Sequence, residues 1–201
     1  MEWSPVIQWS WVLAAYLLGS LNAGILVSRL LGLPDPRQGG SGNPGATNVL
    51  RLGGRGAAAA TLGGDVLKGV IPVLAARVWA PGELIPAAAA LAAFLGHLYP
   101  VFFGFRGGKG VATALGGLIA LAPPVAGIGA LVWLAVAAVF RISSLAALVA
   151  AVAAPVATWL LGLAQPVVVA TAVMAVLLLW RHRSNIANIA HGTESRIGQK
   201  D

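Results

Sequence analysis

Long apolar stretches separated by short polar segments run along the whole chain. They cover roughly 6–31, 56–80, 84–105, 111–122, 125–140, 145–163 and 166–180. A helix needs about 20 residues to cross a bilayer, and most of these stretches reach or approach that length. The pattern therefore predicts an all-α integral membrane protein with seven transmembrane helices, forming a single polytopic domain over residues 1–201.

The stretch 111–122 is shorter than the others, because Pro123 and Pro124 follow it directly. We expect it to form a short span or a re-entrant helix buried inside the protein. The first stretch has no basic residues before it and no small-residue cleavage site after it. It is therefore predicted to be a retained span and not a signal peptide.

Composition supports a lipid environment. The chain is 58% hydrophobic and only 9% charged, with a mean hydropathy of +0.85, whereas soluble domains carry about 25% charged residues. It has no Cys, three His and six acidic residues. This excludes thiolate metal sites and leaves little for a metal cluster, so no metal or organic cofactor is expected. The basic residues lie at the ends of apolar stretches and not in one basic domain, which argues against nucleic acid as a partner.

The placement of charge favours an N-terminus outside and a C-terminus in the cytoplasm. The outer side then keeps Glu2, Glu83 and Arg77, and Lys68 falls within the second span. A single kinked span over 111–140 would move the C-terminal cations outside, which the positive-inside rule disfavours. With seven spans, eleven of the thirteen basic residues lie inside: Arg29, Arg37, Arg51, Arg55, Arg106, Lys109, Arg141, Arg181, Arg183, Arg196 and Lys200.

A glycine-rich polar loop, residues 39–48, follows the first span. Glycine lets successive backbone N–H groups converge on an anion, here around Gly40 and Gly42. Arg51 follows about one turn later and can bind two phosphate oxygens. An ordinary interhelical loop is the alternative interpretation, and the loop lacks the Walker A spacing. Short neutral donors in the loop are Ser41, Asn43, Thr47 and Asn48.

A second glycine-rich loop, GGKG at 107–110, precedes the stretch 111–122. A helix N-terminus carries free N–H groups and partial positive charge, so it attracts anions. Lys109 adds a full charge, and Thr113 is a further candidate contact. The alternative is a juxtamembrane Lys that faces lipid headgroups. Three glycines around one Lys (Gly107, Gly108 and Gly110) favour the anion site.

Asp65, Lys68 and His97 are ionisable residues well inside predicted spans. Asp65 and Lys68 are three residues apart and share one helix face. Charges inside a membrane usually face the bundle interior or a cavity, and we favour a structural pair over direct substrate contact. His97 lies near the inner end of the third span. A lone helical His is usually a packing residue, and its location makes it also a candidate substrate contact.

The C-terminal motif WRHRSNI, residues 180–186, carries His182 and Asn185 on one helix face. In the seven-span arrangement they border the same surface as Arg51 and Lys109. His182 can act as a general base or as a hydrogen-bond donor to a phosphate, and we favour the donor role.

Two further positions near this surface have simpler expected roles. Ser143 and Ser144 are predicted to cap the next helix, with donation to a ligand as the alternative. Glu194 is predicted to be structural, paired with a basic neighbour or a free backbone N–H. Four polar segments would then meet on the cytoplasmic face.

Two common acyl-transfer centres are missing from the sequence. A nucleophile elbow GxSxG is absent, because Gly40-Ser41-Gly42 has the wrong spacing. The chain also lacks a His-x4-Asp dyad, which argues against the acyl-CoA glycerolipid acyltransferases. The residues that occupy the Asp position after His97, His182 and His191 are Phe102, Ala187 and Arg196.

Taken in order, the motifs resemble the PlsY family of bacterial membrane acyl-phosphate:glycerol-3-phosphate acyltransferases. The resemblance covers nearly the whole chain. It rests on GSGNPGATN with Arg51, then Asp65-x-x-Lys68-Gly, then GH-x-YP-VFF-x-F-x-GGKGVAT, then H-x-x-NI and a terminal G-x-E. It implies acyl transfer from acyl phosphate to the 1-hydroxyl of glycerol 3-phosphate, giving lysophosphatidic acid and phosphate, on the cytoplasmic face of the bacterial inner membrane.

The resemblance also implies residue roles. Ser41, Arg51 and Lys109 would surround the phosphates, and GGKG would be the glycerol-3-phosphate loop. His182 and Asn185 would complete the site, and Glu194 would hold the C-terminal segment. Family members commonly have Arg where this chain has Asn188.

The chemistry needs little beyond positioning, because acyl phosphate is already activated. Cations that hold two anions and screen their repulsion are sufficient, and our hypothesis is that a substrate phosphate oxygen takes the hydroxyl proton. A small-anion transporter is the alternative function, although the polar motifs gather at one surface and no inverted repeat is evident. An assembly protein would leave Arg51, Lys109 and His182 unexplained. The sequence carries no signal for oligomeric state or acyl-chain preference.

Overall fold

The computed structural model describes residues 4–198, and all regular structure in that range is helical, as the sequence predicts. The predicted positions Glu2 and Lys200 lie outside the described residues. In chain order the helices are α1 (Pro5–Gly19), α2 (Ala23–Leu30), α3 (Ala46–Trp79), α4 (Leu84–Leu98), a 3-10 helix (Val101–Phe103), α5 (Val111–Leu121), α6 (Pro123–Phe140), α7 (Ser143–Leu160), α8 (Gln165–Arg181) and α9 (Arg183–Ala190).

Helix length and composition mark several membrane spans. Four helices within residues 4–198 are long and apolar enough to cross a bilayer: α3, α4 with its 3-10 extension, α6 and α7. Counting the bent pairs α1–α2 and α8–α9 as one span each raises the number to six. Helix α5 is apolar but has only 11 residues. The result is an all-helical integral membrane protein, in which α5 is the short helix expected at 111–122.

Two predicted spans differ in detail from the observed helices. The stretch 6–31 is not one helix but two, α1 and α2, which are bent by 43°. The side chain of Asn22 accepts the backbone N–H of Ile25 at 3.1 Å, so it caps a new helix. Helix α4 ends at Leu98, before the predicted limit of 105, and Pro100 precedes the 3-10 turn.

Helix α3 is divided by Gly54, whose φ of 77° and ψ of −173° lie outside the helical region. Only glycine adopts such a conformation readily. The residues before the break form a short polar segment that carries Asn48 and Arg51. The residues after it form the apolar segment predicted from residue 56. The break therefore separates part of the site from the helix that enters the bundle.

Helices α3 and α5 pack backbone against backbone. A Cβ built on Gly116 would lie 2.0 Å from the carbonyl oxygen of Val66, and one on Gly69 would lie 2.3 Å from that of Thr113. In lipid, association depends on close packing and small residues, since apolar side chains gain little by leaving the lipid. The backbone contact between α3 and α5 fixes the start of α5, and with it the GGKG loop, against the middle of α3.

The outer surface of the bundle is apolar. Large side chains such as Leu30, Val139 and Trp159 are more than two-thirds exposed, at 84%, 74% and 71%. A soluble monomer rarely exposes so much apolar area. Polar side chains are instead gathered inside, where Asp65, Lys68 and His97 are almost fully buried.

The same substitution at two glycines tests the α3–α5 contact. We expect Gly116→Ala to lower the stability by about 1–3 kcal/mol, because the added methyl group overpacks the interface. Gly127→Ala is the matched control, since a Cβ there meets nothing within 4 Å. Thermal unfolding in detergent, followed by Trp fluorescence, measures both. Equal melting temperatures for the two variants would contradict the contact.

Candidate active site

A cavity of about 880 Å³ lies among α3, α5, α6, α7 and α8. Its polar wall comes from the two glycine-rich loops, the start of α7, and α9 with the segment after it. Twelve of the sixteen predicted site residues line this cavity: Gly40, Ser41, Asn43, Thr47, Asn48, Arg51, His97, Lys109, Gly110, Ser143, His182 and Asn185.

Four predicted contacts, Gly42, Gly107, Gly108 and Thr113, are not among the residues that line the cavity. Thr113 is fully buried on the side of α5 that faces α3, where its carbonyl oxygen abuts Gly69. Gly107 and Gly108 lie against α4. The structure does not bring these four residues to the cavity wall, and their contact with substrate stays a prediction.

Asn48 shapes the first glycine-rich loop. Its Oδ1 accepts the N–H of Ser41 at 2.9 Å, and its Nδ2 donates to the carbonyls of Pro36 and Gly39, each at 2.9 Å. Both amide protons are therefore engaged, and the side chain is 1% exposed. Asn48 holds the loop around the cavity, in place of the donation to a ligand expected from the sequence.

Arg51 extends from the polar segment of α3 to the C-terminal segment, where its Nη2 donates to Ser195 Oγ at 2.9 Å. One turn earlier, Thr47 Oγ1 lies 3.4 Å from Ser143 Oγ at the start of α7. Both pairs line the cavity. Among residues 4–198 the guanidinium has only a neutral hydroxyl as its side-chain partner, which leaves its charge available to an anion.

A chain of side-chain hydrogen bonds connects the second loop to the C-terminal segment. Lys109 Nζ donates to Asn185 Oδ1. Asn185 Nδ2 donates to Glu194 Oε1 at 2.6 Å, and Ser144 Oγ donates to the same oxygen at 2.7 Å. The hydrogen bonds to Glu194 thus come from Asn185 and Ser144, in place of the basic neighbour or free backbone N–H expected, and its structural role stays a prediction.

The serines at the start of α7 do not cap it, contrary to the default expectation. The N-cap position is Ile142, and no side chain caps this end. Ser143 instead faces Thr47, and Ser144 holds Glu194. Both hydroxyls line the cavity, so the structure favours the alternative in which Ser143 is available to a ligand.

The electrostatics of the site follow from burial and crowding of cations. Burial lowers the pKa of Lys109; the charge of Glu194 opposes this shift, while Arg181 and Arg51 add to it. The shift reflects mainly the loss of water around the ammonium, to which the two nearby guanidinium groups add. A bound dianion would supply negative charge and favour the protonated lysine.

His182 lies in the turn between α8 and α9 and is 3% exposed. Its Nδ1 is 2.9 Å from the carbonyl oxygen of Leu178. A carbonyl only accepts, so Nδ1 carries the proton. Burial lowers the pKa of His182 to about 4, with Lys109 acting in the same direction and the Leu178 hydrogen bond opposing it. The neutral ring therefore presents the Nε2 lone pair, an acceptor for a hydroxyl, whereas the expected donation to a phosphate stays a prediction.

Arg181 is a site residue that the sequence analysis treated only as a topology signal. Its Nε donates to the carbonyl of Gly108 at 3.2 Å and its Nη2 to that of Gly107 at 2.9 Å. The guanidinium also stacks over the Tyr99 ring, 5.7 Å from its centroid. No local signal in the sequence indicated this role, because the partners of Arg181 lie more than 70 residues earlier in the chain.

The predicted pair between Asp65 and Lys68 is confirmed. Lys68 Nζ lies 2.8 Å from Asp65 Oδ1, and both side chains are at most 4% exposed. Asp65 and His97 both line the inner part of the cavity. Asn188, where the family commonly has Arg, lines it as well.

The rest of the cavity is apolar and extends between the spans. Its walls come from α5, α6, α7 and α8, so the site joins a cationic end to a hydrocarbon-like end. Representative lining residues are Leu115, Leu118, Ala126, Ala154, Met174 and Leu178.

Comparison with known proteins gives a consistent picture. The family model described as glycerol-3-phosphate acyltransferase matches residues 9–192. The chain is 57% identical to a glycerol-3-phosphate acyltransferase of Methylococcus capsulatus, over 96% of this chain and 98% of the relative. It is 53% identical to that of Neisseria gonorrhoeae, over 94% and 96%.

Two solved structures are also similar. Both are crystal structures of PlsY (YgiH), an integral membrane glycerol 3-phosphate acyltransferase, in its glycerol 3-phosphate form and its lysophosphatidic acid form. They superpose with TM-scores of 0.91 and 0.87 at 41% and 40% identity, and in each case 96% of both chains is covered. This chain therefore belongs to the glycerol-3-phosphate acyltransferase family of integral membrane enzymes, the PlsY family that its motifs resemble.

Proposed function

We propose that this protein transfers an acyl group from acyl phosphate to the sn-1 hydroxyl of glycerol 3-phosphate. The products are lysophosphatidic acid and inorganic phosphate, in phospholipid biosynthesis. The observation that carries the proposal is a single cavity with Arg51 and Lys109 at one end and an apolar wall at the other. An acyl phosphate matches this cavity, because it has an anionic phosphate at one end and an apolar chain at the other.

The polar residues divide into groups by what they can reach. Arg51 and Lys109 bind the two substrate phosphates, helped by Ser41, Asn43, Thr47 and the backbone around Gly40. Asn185 orients Lys109 through their hydrogen bond, and Glu194 holds Asn185 in turn. The acyl chain lies along the alanine-rich faces of α5 to α8. The chain acts as a single polytopic domain over residues 1–201.

The reaction is a single acyl transfer. The 1-hydroxyl oxygen of glycerol 3-phosphate attacks the acyl carbonyl carbon and forms the new ester bond. The bond between that carbon and the phosphate oxygen breaks, and phosphate leaves. The hydroxyl proton passes to an oxygen of the departing phosphate. The lone pair on His182 Nε2 accepts a hydrogen bond from a glycerol hydroxyl and so orients the nucleophile.

The alternative of a small-anion transporter has less support. Transport through a bundle requires a site that opens to both sides, usually near the bilayer midplane. Here the cations lie together at one end of the cavity, and the other end is lined by apolar side chains. That lining suits an acyl chain and disfavours the passage of a free anion.

The same geometry supports a seven-span arrangement in the bacterial inner membrane, with the active site facing the cytoplasm. The four polar segments of the cavity reach one side only if α5 crosses the membrane together with the six longer candidates. With 11 residues α5 is about 16 Å long, short of the hydrocarbon core of about 30 Å. The GGKG loop therefore enters the bundle and covers part of the missing length.

A product assay tests the reaction. Purified protein in detergent is mixed with acyl phosphate and glycerol 3-phosphate, and lysophosphatidic acid and free phosphate are quantified together. We expect equal amounts of both, and a loss of about 10²–10³-fold in kcat/KM for Lys109→Ala, because a preorganised cation is removed. Arg106→Ala is the matched control, since this exposed cation does not line the cavity. Product from acyl-CoA alone would refute the donor assignment.

Replacing His182 separates orientation from base catalysis. In His182→Gln an amide oxygen replaces the Nε2 lone pair without a basic group, so we expect turnover within about tenfold of the wild type. A general base typically contributes about 10²–10⁴-fold. A loss of that size, with unchanged binding of glycerol 3-phosphate by calorimetry, would identify His182 as the base and overturn substrate assistance.

The absence of Cys makes the topology directly testable. A single Cys at Gln38 lies on the inner side in either arrangement. A single Cys at Gln165 lies outside if α5 crosses the membrane and inside if it does not. Both positions are exposed. With an impermeant maleimide on intact spheroplasts, we expect Gln165→Cys to react and Gln38→Cys to react only after permeabilisation. An unreactive Gln165→Cys would exclude the α5 crossing.

A further inference from the structure

A buried ionic cluster borders both the cavity and the GGKG loop and has no assigned part in the chemistry described above. It consists of Asp65 and Lys68 on α3 and His97 on α4, which are 1%, 4% and 3% exposed. Lys68 Nζ lies 2.8 Å from Asp65 Oδ1 and donates to the carbonyl of Leu21 at 2.9 Å. His97 Nδ1 lies 3.5 Å from the same carboxylate oxygen. The cluster thus joins the α1–α2 break, α3 and α4.

The Nε2 edge of the His97 imidazole and the His97 carbonyl contact the GGKG loop. The backbone N–H of Gly108 donates to the carbonyl of His97 at 3.1 Å. A Cβ built on Gly108 would lie 2.1 Å from His97 Nε2, and one on Gly107 would lie 2.0 Å from the His97 carbonyl oxygen. The imidazole and the backbone of one residue therefore form the surface on which both glycines rest, immediately before Lys109.

This contact explains why residues 107 and 108 are glycine without requiring their backbone N–H groups to surround a phosphate. Neither Gly107 nor Gly108 has a positive φ, so other residues could adopt their backbone conformations. Neither lines the cavity. At Gly108 the His97 imidazole excludes a side chain, and at Gly107 the His97 carbonyl oxygen does so together with Pro100 Cδ and the Leu98 carbonyl oxygen. Arg181 holds the same two residues from the opposite direction through their carbonyls.

We propose that Asp65, Lys68 and His97 are positioning residues for the glycerol-3-phosphate site. Asp65 orients the imidazole of His97 through its charge at 3.5 Å and not through a hydrogen bond, and Lys68 balances the carboxylate charge that this requires inside the membrane. His97 then sets the position of the Gly107–Gly108 backbone, and with it the position of the Lys109 ammonium in the cavity. The inference rests on the proposed function, because it assigns glycerol 3-phosphate to Lys109.

A double substitution separates this role from general structural support. Gly108→Ala places a methyl group on the imidazole, and we expect KM for glycerol 3-phosphate to rise about 10- to 100-fold, as a displaced binding group causes. In His97→Ala/Gly108→Ala the obstructing ring is absent, and we expect at least half of that loss to be recovered. Gly107→Ala is the matched control. It meets the His97 backbone, so His97→Ala cannot relieve it.

A charge-balanced variant provides a second, independent test. Asp65→Asn/Lys68→Met removes both charges, so no ion is left buried alone, and the fold is retained. Without the carboxylate to fix His97, we expect KM for glycerol 3-phosphate to rise about tenfold, while KM for acyl phosphate and the melting temperature stay near the wild type. Thr158→Val removes a buried hydroxyl bonded to Pro155, far along α7. It shows what stability loss alone does to the two KM values.

The outcomes separate cleanly. If the wild type forms no lysophosphatidic acid, the proposed function fails whatever the variants do. If the wild type is active but Gly108→Ala is equally impaired with and without the imidazole, the positioning role is refuted. A parallel rise of both KM values in the charge-balanced variant, matching Thr158→Val, would also refute it. Rescue at Gly108 but not at Gly107, with a rise confined to glycerol 3-phosphate, is the expected result.

Discussion

The hydrogen-bonded chain from Lys109 through Asn185 to Glu194 is the interaction on which the rest of the site depends. An ammonium at the edge of a lipid-embedded bundle is costly unless it has partners. Direct pairing with a carboxylate would satisfy the charge but would compete with substrate. Here Asn185 stands between the two charges, so Lys109 has a neutral partner while Glu194 sits one residue further back. The lysine is thereby held in place and remains able to bind a phosphate.

The same arrangement explains why the small residues of the spans matter for chemistry. Glycines bring α3 and α5 into backbone contact, which places α5 directly against Val66 and Gly69. Alanines along α7 and α8 leave open space between the spans instead of filling it with larger side chains. Small residues therefore allow α5 to pack tightly against α3 and also leave a cavity on the other side of α5. The cavity therefore has a rigid polar end and an apolar end within the bilayer.

Sequence reasoning succeeded where local chemistry decides the outcome. Apolar stretches become helices because lipid offers the backbone no other partner, and Asp65 and Lys68 meet because they are three residues apart on one helix. It was less successful where partners are distant in the chain. From the sequence, Asn48 is a free donor, whereas in the structure it donates to the carbonyls of Pro36 and Gly39. Arg181 served in the sequence only as a topology signal, whereas in the structure it binds a loop more than 70 residues earlier. The break at Asn22 carried a local signal, since Asn is a common N-cap, but the continuous apolar pattern concealed it.

The C-terminal segment completes the site in a way that no single motif indicates. The Arg141 guanidinium donates to the carbonyl of Ile197 at 2.9 Å, and the Arg141 backbone carbonyl accepts the N–H of Ile197. The C-terminal segment is therefore fixed at both Glu194 and Ile197. Between these points Ser195 receives Arg51. A hydroxyl is a weaker partner for a guanidinium than a phosphate is, so this contact orients Arg51 without neutralising it. Arg51 and Lys109 are thus both held by neutral side chains, and their charges remain available to the substrate phosphates.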